Sequence, residues 1–115
     1  TSLSDAKVTY SSNGNAAAVW VDGTDVYTAV SLGLSWQTPT IIDGTASTNA
    51  DIGTDANGHP IVIWGGNNVS DIRWSRFNGL TWSTPQTISL ASGNSAPAIA
   101  VAPNGTAVAV WRDSA

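Results

Sequence analysis

The chain repeats itself. NGLTWSTPQTIS, residues 78 to 89, has a near copy in LGLSWQTPTIID, residues 32 to 43, so that Asp25 and Asp71, Gly33 and Gly79, Trp36 and Trp82, and Pro39 and Pro85 all stand 46 apart. A second motif occurs three times: SSNGNAAAVW ends at Trp20, DANGHPIVIW at Trp64 and APNGTAVAVW at Trp111, at spacings of 44 and 47. Such a period constrains the fold more than composition does. Each repeat is one supersecondary unit that cannot bury its apolar face alone and must stack on its neighbours.

Each unit reads as short strands. Lys7-Val8-Thr9-Tyr10, Ile52-Gly53-Thr54 and Ala98-Ile99-Ala100-Val101 precede an Asn-Gly pair, a hairpin signal that predicts positive φ at both central turn residues. AAAVW, PIVIW and AVAVW follow, apolar on both alternating faces, as in strands covered from both sides. DVYTAV and DIRWSRF read as third strands, and WQTPTII and WSTPQTI as fourth strands after turns at Gly33 and Gly79. Pro39 and Pro85 cannot donate a ladder hydrogen bond, which places them on the outermost strand.

The expected fold is all-β, built from four-stranded antiparallel β-propeller blades on a repeat of about 46 residues. A β-sandwich is the alternative, since it also spaces short strands closely, but it does not require the repeat. Residues 6–49 form one blade, 50–95 a second, and 96–115 a half blade with the first two strands only, within one partial propeller over residues 1–115. Propellers use roughly four to eight blades. About two and a half blades are therefore expected to close a ring with further copies of the chain, or to be a fragment of a longer one. The half blade is left open: it borrows outer strands from a neighbour, stays incomplete, or marks a cut.

Composition narrows the partners. Apolar residues make up 42% of the chain and charged ones 10%; eight Asp face only Lys7, Arg73, Arg76 and Arg112, for a net charge of −4. No basic stripe is available to neutralise phosphates, so neither nucleic acid nor an anionic membrane surface is an expected partner. No apolar run approaches the roughly 20 residues of a membrane span, and no basic-then-apolar leader opens the chain. Cysteine is absent, which removes disulfides and thiolate metal sites. The triplets Asn68-Val69-Ser70 and Asn104-Gly105-Thr106 fit the glycosylation rule but arise easily in a chain so rich in Asn, Ser and Thr.

Ser75-Arg76-Phe77-Asn78-Gly79-Leu80-Thr81-Trp82 resembles the Asp-box of sialidase-like propellers, Ser-x-Asp-x-Gly-x-Thr-Trp. Ser75, Gly79, Thr81 and Trp82 match; Phe77 occupies the Asp position with Asn78 beside it, and the earlier copy keeps Gly33, Ser35 and Trp36. The resemblance implies a folding element remote from any catalytic centre. The units are also similar to repeats of secreted bacterial sialidase-like proteins, which implies an extracellular location with the leader removed. FNGLTWSTPQTIS is similar, too, to the aromatic-Asn-Gly-x-x-Trp turns of propeller lectins that bind fucose and related sugars. Some of those are two-blade chains assembled into rings, which implies sugar binding by an assembled homo-oligomer.

Catalytic chemistry finds little support. A sialidase resembling the family would need an arginine triad, a Tyr with a Glu partner and an Asp acid/base, yet the chain contains no Glu. Arg73 and Arg76 stand three apart on one strand, which sends them to opposite faces. Two flanking carboxylates would serve a glycosidase more generally, but Asp22, Asp43, Asp55 and Asp113 read as turn formers. His59, the one histidine, follows a turn with no Cys, Glu or second His nearby, so neither a metal site nor a general base is expected. Gly65-Gly66 lacks the Lys of a phosphate loop and reads as a hairpin insertion. No enzyme, no catalytic residue and no cofactor are expected.

The six tryptophans carry the functional reading. Trp20, Trp64 and Trp111 recur at the end of each second strand and should pack between blades. Trp36 and Trp82 are equally suited to blade packing and to stacking under a sugar ring, since an indole offers an apolar face and an N–H donor. Trp74 has no counterpart, its position in the first unit being Thr28. The expected function is non-enzymatic carbohydrate binding at repeated inter-blade sites, strengthened by multivalency. Trp74, Trp82, Trp36 and Trp20 would stack, and Arg73, Arg76, Asn78 and Asp71 would hydrogen-bond hydroxyls. The alternatives are a self-assembling piece of a larger or reconstructed propeller with no ligand, and a catalytically dead sialidase-like repeat.

Overall fold

Runs of β-branched residues and alanine between glycine turns leave strands as the only regular elements among the described residues. The structure is a computed structural model and describes residues 3–44, 47–66, 71–89 and 94–113. The triplet beginning at Asn68 lies outside them. The first sheet contains β1 (Leu3–Tyr10), β2 (Ala16–Asp22), β3 (Asp25–Leu32), β4 (Ser35–Trp36) and β5 (Thr40–Asp43). The second contains β6 (Ser47–Thr54), β7 (Pro60–Gly66), β8 (Ile72–Arg76) and β9 (Gln86–Ser89), and the third is the hairpin β10 (Asn94–Val101) and β11 (Ala107–Asp113). All pairing is antiparallel between strands that follow one another, with β4 and β5 sharing the outer edge of β3. The all-β antiparallel expectation holds.

Two local expectations are corrected. Pro39 does not sit within a continuous edge strand. It lies in the gap between β4 and β5, and Pro85 lies between the isolated Phe77–Trp82 bridge and β9. A residue without an N–H, and with its predecessor pushed away from ladder geometry, divides the outer strand in both sheets. The Asn-Gly turns also differ from the expectation, because only their glycines, Gly14, Gly58 and Gly105, have positive φ. Gly14 N donates to Ser11 O at 3.0 Å, and Ser11 N to Asn15 O at 2.7 Å, which makes a three-residue loop with a left-handed glycine at its end. The extra residue relieves asparagine of the strained conformation.

The core lies between the first two sheets. Ala17, Val19 and Val21 of β2 with Val26 and Val30 of β3 meet Ala50 and Ile52 of β6, Val62 and Trp64 of β7, and Phe77. Their alternation along each strand puts all of them on one face. Trp64 is fully buried here, and a side chain of this kind contributes about 3 kcal/mol on leaving water. On the opposite face of the second sheet, β10 packs on β6 and β7. That approach needs a glycine: a Cβ at Gly53 would stand 2.9 Å from Cγ2 of Val101.

Polar ties join the first strands in series. Lys7 Nζ donates to Ala50 O at 3.2 Å, and Ile99 N donates to Asp51 Oδ2 at 2.9 Å. The hairpin loops are joined as well, by Ser11 Oγ to Asp55 O at 2.7 Å and Ala56 N to Pro103 O at 3.0 Å. The three sheets therefore stack face to face in chain order, with the second in the middle.

Candidate functional site

The outer parts of the first two sheets diverge and leave a groove of about 630 Å³. One wall comes from β3 and β5, with Thr28, Val30, Thr40, Ile41 and Ile42, and the other from the segment between Phe77 and β9, with Leu80, Trp82 and Pro85. Gln37, Thr38, Thr81, Ser83 and Thr84 add amide and hydroxyl groups. Among the described residues none that lines the groove is ionisable. Trp82 is half-buried and tilts against Phe77 at 5.4 Å between ring centroids, so one side of the indole is held while the rest meets the groove.

The turn that presents Trp82 is stiff. Asn78 Oδ1 accepts from Leu80 N at 2.8 Å and Thr81 N at 2.9 Å. Behind it, buried Ser75 donates through Oγ to Ser83 O at 2.6 Å, while Arg76 N donates to Ser83 Oγ at 3.0 Å. Asn78 thus spends its acceptor on the fold. Toward a ligand it retains only its amide NH₂.

The remaining residues singled out in the sequence do not gather at this groove. Trp74 and Arg76 lie on the other face of β8, where with Ile61, Ile63, Ile88 and Ile99 they line a second groove of about 320 Å³ facing β10–β11. Arg76 also ties sheets together, since its Nη2 reaches Asp55 Oδ2 at 3.3 Å and Gly105 O at 3.4 Å. Trp20 stacks on Tyr27 across the β2–β3 pair, at 5.7 Å between centroids and 3° between planes. Trp36, exposed, pairs with Ser31 and shares the outer face of the first sheet with Trp20.

Arg73 and Asp71 belong to a buried latch between the first two sheets. Asp43 Oδ2 accepts from the Trp64 indole Nε1 at 2.7 Å and from Arg73 Nη1 at 3.1 Å; Arg73 Nη2 reaches Asp71 Oδ2 at 3.0 Å. The bond to Asp71 raises the Arg73 pKa against the opposing effect of burial, and the charge of Asp43 adds to the rise. Asp43 is thus an inter-sheet acceptor rather than the turn former expected of it. The opposite facing of Arg73 and Arg76 holds.

Asp55 is a turn former as expected, accepting at Oδ1 from Asn57 N and His59 N, both at 2.9 Å. Burial pushes its carboxyl up, but those two N–H donors and the charges of His59 and Arg76 outweigh it and hold the group below the ordinary Asp value. His59 lies beside it, 4.0 Å from Nδ1 to Asp55 Oδ2. Among the described residues no cluster of His, Asp or Glu has the arrangement of a metal site. The expectation for Asp113 as a turn former concerns a side chain outside the described ones.

Sequence reasoning missed Gln37, Thr38, Thr40 and Thr84 on the groove, and Tyr27 under Trp20. Tyr27 was findable: the two-residue turn at Gly23-Thr24 pairs Trp20 with Tyr27 across the hairpin. The groove rim was not, because it needs the spacing of two sheets. Comparisons with protein-family models, with curated proteins and with solved structures give no match for this chain.

Proposed function

We propose that the three sheets are two blades and a half blade of a β-propeller, that copies of the chain complete the ring, and that neutral carbohydrate binds in the outer grooves between blades. The observation that carries this reading is the groove beside Trp82: an indole held against Phe77 beside apolar Leu80 and Ile41, a rim of Gln, Thr and Ser, and no ionisable group among the described lining residues. A sugar ring presents the matching chemistry, an apolar C–H face for the indole and hydroxyls for the rim. A sialoside would bring a carboxylate with no cation to receive it. The second groove sets Trp74 among isoleucines and alanines without such a rim, and its Arg76 is held by Asp55 and Gly105 O. Each site is shallow, so strength comes from several sites on one assembly.

The test is a glycan array probed with the assembled protein, carrying neutral and acidic glycans. Neutral glycans should bind and sialosides should not. Gln37→Ala and Thr84→Ala, both exposed, should weaken binding about tenfold or less each, and Trp82→Ala by more than about tenfold, equivalent to roughly 1.4 kcal/mol. A blank array over an intact assembly removes the sugar reading. It would favour a self-assembling chain without a ligand, for which the exposed Val8, Tyr10, Val108 and Val110 speak.

A further inference from the structure

The repeat allows every apolar position to be compared with its counterparts. Each sheet has one face toward the sheet before it and one toward the sheet after it. Val8 of β1 corresponds to Ile52 of β6, and Val108 and Val110 of β11 correspond to Ile61 and Ile63 of β7. Ile52, Ile61 and Ile63 are 6%, 5% and 0% exposed, whereas Val8, Val108 and Val110 are 69%, 65% and 61% exposed. The outer face of the first sheet and the outer face of the third are thus the two unmatched halves of an interface that the chain builds twice within itself. Exposed apolar surface of this kind, continuous with a built interface, marks an association site.

Charge points the same way. Arg112 stands on the same face of β11 as Val108 and Val110, is exposed, and makes no ion pair among the described residues. The first sheet's outer face carries Trp20 and Asp22 at alternate positions of β2, with Asp25 paired opposite Asp22. Oδ1 of Asp22 is buried and has no hydrogen-bond partner among the described residues. In repeat register Arg112 corresponds to Val21 of β2, which shares the core between the first two sheets with Trp64, the counterpart of Trp20, so stacking the two open faces brings the guanidinium to the Trp20 end of the opposing face, beside these carboxylates. Inside the chain, Arg73 and Asp43 already join two sheets by such a pair.

We infer that the Val108–Val110–Arg112 face of one copy docks on the Val8–Tyr10–Trp20 face of a second copy, head to tail, as the next member of the internal series of sheet contacts. The inference rests on reading the sheets as successive blades, and it supplies the partner and the polarity that the ring requires. The contact is heterologous: two different patches meet, so each added copy exposes a fresh patch until the ring closes. An isologous dimer would instead pair one face with itself and leave the other face open.

Complementary blocking tests the contact. One variant carries Val108→Asp and Val110→Asp, the other Val8→Asp and Tyr10→Asp; all four positions are exposed. Wild type at roughly 100 μM, where a micromolar contact is nearly saturated, should scatter light as a discrete multiple of the 11.8 kDa subunit. Each variant alone should be monomeric, and an equal mixture should form a one-to-one dimer, because each retains the face its partner lost. Arg112→Asp should raise the concentration for half-assembly about tenfold, and Asp22→Arg in the same chain should restore it.

A monomeric wild type overturns the inference, as does a mixture that stays monomeric while both variants keep the wild-type circular dichroism. Should either double variant unfold, the exposed Arg112→Asp decides alone, and unchanged assembly refutes the contact. Sugar binding is read separately. A blank array over a discrete oligomer leaves the contact standing, and a monomer removes it whatever the array shows.

Discussion

The two internal contacts between sheets use the same repeat positions and reach different ends. Between the first and second sheets the inner part is core, with Val19, Val62 and Trp64 inside and Phe77 farther out, before the space opens into the groove beside Trp82. Between the second sheet and the β10–β11 hairpin, Ile99 and Val101 cover only the inner part, and Trp74 and Ile88 line an open groove. The difference lies in the outer strands. Phe77, Ile42 and Trp82 extend the first core outward, and no described strand of the third sheet does so for the second. Inner strands thus set the spacing of the sheets, and the residues outside them decide how far the core extends before the space opens into a groove.

Removing one tryptophan from each contact should measure the difference. Trp64→Ala empties a fully buried site and also deletes the donor to Asp43, so a loss of about 4 kcal/mol in urea unfolding is expected. Trp111→Ala, at the corresponding but half-buried position, should cost about half as much. Equal losses would mean that the second contact is as closed as the first. Next in size is Asp43→Ala, which leaves the Trp64 indole N–H without its acceptor and Arg73 with Asp71 alone, for about 2 to 3 kcal/mol. Asp43→Asn should recover part of that, since a side-chain oxygen remains.

Much of this division was legible in the repeat. NGNAAAVW, NGHPIVIW and NGTAVAVW placed the paired inner strands, and the period-two pattern separated Arg73 from Arg76. What stayed hidden depends on one sheet lying against another. Asp43 reads as a turn residue until its partners, 21 and 30 residues away, are brought over it by stacking. Trp74 and Trp82 look like one aromatic cluster in the sequence, yet the pleat and the break before β9 send them to opposite grooves. The Asn-Gly turns were misjudged for a local reason: the residues before them, Ser11, Asp55 and Ala102, close the loop one position earlier.

Gly53→Ala sharpens the comparison from the side of the inner strands. The added Cβ would meet Cγ2 of Val101 at 2.9 Å, and the backbone N of Val101 lies 3.4 Å away, so β10 must shift outward. A loss of about 1 to 2 kcal/mol is expected, confined to the second contact. Val101→Ala should cost about 1 kcal/mol alone but be nearly neutral in the Gly53→Ala background, because the clash and the cavity cancel. Additive losses would show that the strands do not meet where the structure puts them.

The smallest effect concerns acid. Asp55 joins the second sheet to the third through Arg76, which also reaches Gly105 O, and its carboxyl is held below the ordinary value in the folded chain. A carboxyl depressed on folding adds stability that is complete above its unfolded value of about 3.9 and drains away as the pH falls through the folded value. The unfolding free energy should therefore decline below about pH 4, and Asp55→Asn should flatten that decline. The amide oxygen can still receive the N–H groups of Asn57 and His59, so at neutral pH the variant should lose only about 0.5 kcal/mol, the worth of a partly exposed ion pair. Hydrogen exchange separates the two contacts: acid should speed it in β10 and β11 before β2 and β7, because the Asp55 tie serves the hairpin while Trp64 holds the other sheets. Simultaneous exchange in all four strands would mean that this carboxylate does not hold the hairpin on its own.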